Sequence, residues 1–126
     1  MGLGCVFMDN IEILKDIELE SLLKNLKNVL FKIYGDNLKS IILYGSYARG
    51  DNDNESDMDI MILVDLDSKE QKAYRNLLVK EITDLSIDYG IVISVIDINY
   101  KDFHIRTSYV PFYMNVLREG IEIYAS

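Results

Sequence analysis

The chain has 126 residues, 49% of them apolar, a formal net charge of −8 and one cysteine. Such a length suits one packed domain. The acidic balance argues against a nucleic-acid backbone as main partner, because phosphate contacts need a basic face, and a lone Cys5 excludes an internal disulfide and a cysteine-built zinc site.

No run approaches the roughly 18 apolar residues that a membrane span needs, and the protein is expected to be cytoplasmic. Residues 1–10 are expected to form a flexible extension, with a single domain over 11–126. The opening residues carry no base before their apolar run, so they make a poor signal peptide. Val6 stands where a myristoylated chain wants Ser or Thr. Met8 is an alternative start to Met1.

From Ile11 to Tyr34 apolar residues recur at three-to-four spacing, at Leu14, Ile17, Leu22, Leu26, Val29, Leu30 and Ile33, which predicts a helix or two in succession. Asn10 or Asp16 is the candidate cap. Gly35 suits the left-handed residue after the helix. Ser40 to Tyr44 is nearly all apolar, as in a strand covered on both faces. Gly45 stops it, Tyr47-Ala48-Arg49 can form one helical turn, and residues 50–55 are a polar loop by composition. Asp57 to Val64 reads as an interior strand, apolar on both faces beyond its two acids.

Ser68 with Gln71 three residues on reads as a capping box, opening a helix with a buried stripe at Tyr74, Leu77, Leu78, Ile82 and Leu85. Gly90 separates this helix from a strand over Ile91 to Ile96. Asn99 to Ser108 is irregular or briefly helical. Pro111 suits the first turn of a last helix through Leu117, ended by Gly120. Ile121 to Tyr124 alternates, as a short edge strand does. The order implies an α/β (α+β) fold: a small mixed sheet flanked by helices.

Two features carry chemistry. Asp57 and Asp59 lie two apart on a strand, so their carboxylates point the same way. Two such charges repel unless a cation sits between them, and Mg²⁺, which prefers hard oxygens, fits one or two carboxylates plus substrate phosphates. Alone, a D-x-D at a strand mouth is more often a solvated end. The second feature is Gly45-Ser46. A glycine there lets backbone approach a ligand closely, the Ser46 amide and hydroxyl can donate to phosphate oxygens, and Arg49 can reach the same anion. Alone, it is an ordinary turn. Ten residues, Tyr47 to Ser56, separate the two features. If the strands are neighbours, a triphosphate and its cation meet in one cleft. Tyr47, beside the turn, is a candidate to stack on a base. His104, with Lys101 and Arg106, reads as a surface residue that could instead face the cleft mouth.

The combination, Gly45-Ser46-Tyr47-Ala48-Arg49-Gly50 followed by Ser56-Asp57-Met58-Asp59, resembles the minimal nucleotidyltransferases of the DNA polymerase beta superfamily, in particular the antitoxin members of HEPN/MNT toxin–antitoxin pairs. The resemblance runs from about Ile11 onward. It implies the nucleotidyltransferase fold and Mg²⁺-dependent transfer of AMP from ATP to a hydroxyl, with release of pyrophosphate. Gly45, Ser46 and Arg49 would bind the nucleotide, and Asp57 and Asp59 would be catalytic and metal-binding. It also implies a helical HEPN-domain ribonuclease toxin as partner, in a hetero-oligomer, with a tyrosine as acceptor. The alternatives are a non-catalytic antitoxin that covers its toxin, or a small-molecule nucleotidyltransferase of the aminoglycoside-modifying kind. One departure stands out. Active members carry a third acid on the next strand, where this chain aligns Ser94. Asp97 falls on the other face by parity, and Asp88 lies far toward the preceding helix.

Overall fold

The computed structural model describes residues 17–126. The expected extension over residues 1–10, both candidate caps (Asn10 and Asp16), and Cys5 and Met8 lie outside the described residues. Helix α1 spans Ile17–Tyr34. Leu22, Leu26 and Leu30 follow one another turn by turn and are fully buried, which makes the apolar spacing the face that packs. Gly35, at φ 54°, opens a short 3-10 turn over Gly35–Asn37.

Strand β1 spans Leu38–Tyr44, starting two residues earlier than the apolar run suggested. Lys39 interrupts that run in sequence, yet Leu38 is itself fully buried. Helix α2 is a single turn, Ser46–Arg49, and β2 spans Met58–Val64. The two strands pair antiparallel, with Leu43 opposite Ile60 and Tyr44 opposite Asp59.

Helix α3 covers Ser68–Tyr89. Its cap is Asp67, not Ser68: the Asp67 carboxylate accepts from the Glu70 amide at 2.8 Å, and Glu70 Oε1 accepts from the Asp67 amide at 2.9 Å. The expected box was one residue out of register because Asp67-x-x-Glu70 satisfies the same pattern with stronger acceptors. The frame freed Gln71 to turn inward, where it donates to the Asp97 carbonyl and carboxylate. Leu78, Ile82 and Leu85 are buried as expected, but Leu77 is 45% exposed, and Gln71 takes its place on the buried side.

Strand β3 spans Ile93–Asn99, two residues later than expected. Gly90 ends α3 in the left-handed region, and the Gly90 and Ile91 amides both donate to the Ser86 carbonyl. The chain is thus still leaving the helix at Ile91. Next come α4 (Tyr100–Arg106), α5 (Pro111–Glu119) and β4 (Ile121–Ala125). Asn99 caps α4 through the Asp102 amide. Gly120 is required where α5 turns into β4, since a Cβ there would strike Ile42 Cγ2 at 2.6 Å.

The sheet order is β3-β2-β1-β4, with β1 antiparallel to both its neighbours and β2 parallel to β3. A parallel joint needs a crossover, which α3 supplies. Helices α1 and α3 cover one face, where Ile41, Leu43, Ile60, Ile62 and Val64 meet the leucines of α1. On the other face Phe103 of α4 and Val116 of α5 close over Ile42, Met61 and Leu63. This second layer thins toward the sheet's end, where Tyr44 packs on it yet, like Asp59, stays part-exposed. Strand β3 sits at an edge, so its apolar sequence is only part-buried beyond Ile93.

Candidate nucleotide and metal site

The open end of the second face brings together the two halves of the motif. Gly45 follows the last residue of β1 and adopts φ 75°, ψ −154°, a backbone closed to side chains. A Cβ at this position would overlap Asp59 Oδ2 and lie 3.3 Å from Asp59 Cγ. Glycine is therefore what lets the turn pass directly over the carboxylate. The Ala48 and Arg49 amides both donate to the Gly45 carbonyl at 3.1 Å, which closes α2. The Ser46 amide stands in its first turn, where no intrahelical acceptor exists.

Asp57 lies one residue ahead of β2 and is exposed, while Asp59 is within the strand and half-buried. Burial pushes the Asp59 carboxyl above the usual carboxylate value. The Asp57 charge adds to the rise, and the Arg49 guanidinium opposes it. Burial leads this rise, and a cation beside the pair would oppose it. Among the described residues no group of three or more His, Cys, Asp or Glu could hold a metal. Two carboxylates are within what Mg²⁺ takes from a protein when substrate phosphates and water supply its other oxygens.

Loop 50–57 is held by side chains. Ser56 Oγ accepts from the Asp53 amide at 2.9 Å and donates to Asp53 Oδ1 at 3.2 Å, and Asp53 Oδ1 also accepts from the Glu55 amide. Ser56 thus acts through the loop that delivers Asp57. Arg49 is exposed at the mouth, held by Asp51 at 3.2 Å and by Glu119 of α5 at 3.6 Å. Nothing in the sequence links Glu119 to Arg49, since 70 residues separate them.

Ser94 is the register partner of Asp59 across β2 and β3, and it is exposed. Asp97 belongs to the opposite face, where Arg75 pairs with it at 2.9 Å. The position beside Asp59 thus carries a hydroxyl and no third carboxylate. Tyr47 departs from expectation: it is 6% exposed and packs in the core beneath α2, so it cannot stack on a ligand. Tyr44 holds the cleft side instead. Its phenol is pushed up, first by burial and then by the Asp59 charge, and its ring meets Phe112 of α5 edge-on with centroids 5.7 Å apart. His104 lies against Tyr100 and Phe103 on α4.

Residues 23–121 match the family model described as a nucleotidyltransferase domain. The chain belongs to that family. It is a nucleotidyltransferase, and the glycine turn over Asp59 lies inside the matched span. Two relatives from Methanocaldococcus jannaschii, both provisionally named protein adenylyltransferase, are similar along most of their length. One is 37% identical over 105 residues, covering 83% of this chain and 97% of the relative. The other is 37% identical over 109 residues, covering 85% and 100%. The fold is shared with a crystal structure of a mutant toxin–antitoxin complex called MntA–HpeT, at TM-score 0.53 and 19% identity, over 83% of this chain and 73% of that one. Among the described residues no helix is long and apolar enough to cross a membrane.

Proposed function

We propose that this nucleotidyltransferase is a protein adenylyltransferase that acts as an antitoxin. It transfers AMP from ATP to a tyrosine hydroxyl of a partner HEPN-domain ribonuclease toxin, within a hetero-oligomer. The observation that carries the nucleotide part is Gly45 laid over the Asp59 carboxylate, which supports reading the turn and the acids as one site. The name of the relatives supports a protein as acceptor, and the toxin–antitoxin neighbour is the ground for proposing a toxin partner.

In this reading Ser46 donates its amide and hydroxyl to the triphosphate, and Arg49 leaves Asp51 and Glu119 to meet it. Asp57 and Asp59 hold Mg²⁺, which supplies charge neutralisation on the phosphates when bound. The acceptor oxygen forms a bond to the α-phosphorus as the bond to the bridging oxygen breaks, and pyrophosphate leaves. Catalysis is positioning and electrostatics around an in-line displacement. Ser94 cannot take the acceptor proton as a carboxylate would, so that proton goes to solvent. A phenol gives up its proton far more readily than an alkyl hydroxyl, and a tyrosine acceptor suits such a site.

Ser94 also favours a second reading, a non-catalytic antitoxin that neutralises its toxin by covering it. Intact-mass spectrometry of the toxin after incubation with this chain, ATP and Mg²⁺ separates the two. Added AMP, lost in Asp57→Ala with Asp59→Ala, is expected. An unmodified toxin that is fully neutralised by the double variant would overturn transfer in favour of binding.

A further inference from the structure

Resting on the nucleotide-cleft reading above, we infer that Phe112, braced by Tyr44, is the platform on which the purine base of the bound nucleotide stacks. Tyr44 is the last residue of β1, immediately before the phosphate-facing turn, and is the register partner of Asp59. Paired residues of neighbouring strands point to the same face, so its ring stands beside that carboxylate. Phe112 is one ring further out, edge-on to Tyr44 at 5.7 Å and an interplanar angle of 79°. It stays 43% exposed although it sits in the first turn of a helix whose Val116 is buried against the sheet.

Phe112 is one of several exposed large apolar side chains, and what sets it apart is its contact with the ring beside Asp59. The triphosphate end of a nucleotide at Gly45 and Ser46 leaves the sugar and base to extend away from the acids. Tyr44 directly precedes Gly45 and Phe112 packs on Tyr44, so these two rings stand next to the turn on that side. Tyr47, the other aromatic of the motif, is spent in the core. Before nucleotide binds, α5 is also tied to the turn, since Glu119 at its far end reaches Arg49. Ring stacking is tolerant of base identity, because each base has a π-face. This cleft should then prefer purines over pyrimidines by ring area and discriminate little between adenine and guanine.

Isothermal titration calorimetry in Mg²⁺ with ATP and with inorganic tripolyphosphate tests this on the wild type, Phe112→Ala and Phe112→Tyr. Phe112→Ala is expected to weaken ATP by about tenfold or more, the loss of one stacked ring. It should leave tripolyphosphate within about twofold, and Phe112→Tyr should retain most ATP affinity. Equal losses for both ligands would mean that Phe112 only holds α5 in place, and an unchanged ATP affinity would assign the ring to the acceptor side. Either result overturns the platform. If the wild type binds neither ligand, the cleft reading itself falls and the platform with it. If the wild type binds both and Phe112→Ala shifts neither, the platform alone falls.

Discussion

At the scale of single residues, Asp59 is held in an environment that suits a ligand better than it suits the empty fold. Its carboxyl is raised by burial and by Asp57, so the folded chain binds that proton more tightly than the unfolded one does. The associated stability is present below the ordinary carboxylate value and is lost as pH rises through the folded value. At neutral pH the charge therefore costs stability. Asp59→Asn should raise the Tm of the metal-free protein at pH 7, with the gain vanishing at low pH, while abolishing transfer. Thermal melts at several pH values, paired with the mass assay, check both halves. Ser94 makes the complementary case. Ser94→Asp restores a carboxylate beside Asp59 and is expected to raise kcat by about tenfold, a modest share of what a positioned base supplies. Single-turnover kinetics that show no rise in a well-folded variant would mean that the two acids suffice. The approach of Gly45 to Asp59 was legible because the motif is local: antiparallel pairing of the two strands brings them together. Tyr47 was misread for the same reason. Proximity in sequence to the turn says nothing of which way a one-turn helix faces, and the core took the ring.

At the scale of elements, caps and packed faces decide the outcome. Asp67→Ala removes the N-cap of a 22-residue helix. It should cost about 1 kcal/mol, a fall of roughly 4 °C or more in Tm, readable by circular dichroism. The end of α1 offers the reverse. Among the described residues the buried Tyr34 hydroxyl has no hydrogen-bond partner. Burial first, then the charge of Asp97, push its phenol up to about 12. The folded state keeps that proton, so stability is complete below about pH 10 and is lost as pH climbs through the folded value. Tyr34→Phe should leave neutral-pH stability equal or higher by about 1 kcal/mol. It should also flatten the alkaline limb of a denaturation series run from pH 8 to 12. Element types followed from periodicity, but their frames did not always. Ile91 and Val92 look like strand in sequence, yet Ile91 is still hydrogen-bonded to the outgoing helix and Val92 precedes the strand. The Ser68 frame and the Asp67 frame both read as capping boxes, and only the buried seat for Gln71 separates them.

At the scale of the molecule, a ligand bound at the Gly45–Asp59 end of the sheet should stabilise the whole. MgATP at about 100 times its dissociation constant is expected to add about 2.7 kcal/mol, visible as a rise in Tm. The Asp57→Ala, Asp59→Ala double variant should show none. What could not be read from the sequence at this scale is everything that joins distant segments. The Glu119–Arg49 pair, the Tyr44–Phe112 contact and the edge position of β3 depend on how the last third of the chain returns to the sheet.

The two strands that carry the turn and the acids are also the two central strands of the sheet. Amides in such strands exchange with solvent only when the molecule opens as a whole. The floor of the cleft should accordingly exchange as slowly as any part of the chain. Helix α5 stands on the sheet through Val116 and the Tyr44–Phe112 contact and on the turn through one exposed ion pair, a lighter hold than that of the central strands. A nucleotide would thus enter past a wall that breathes over a floor that does not.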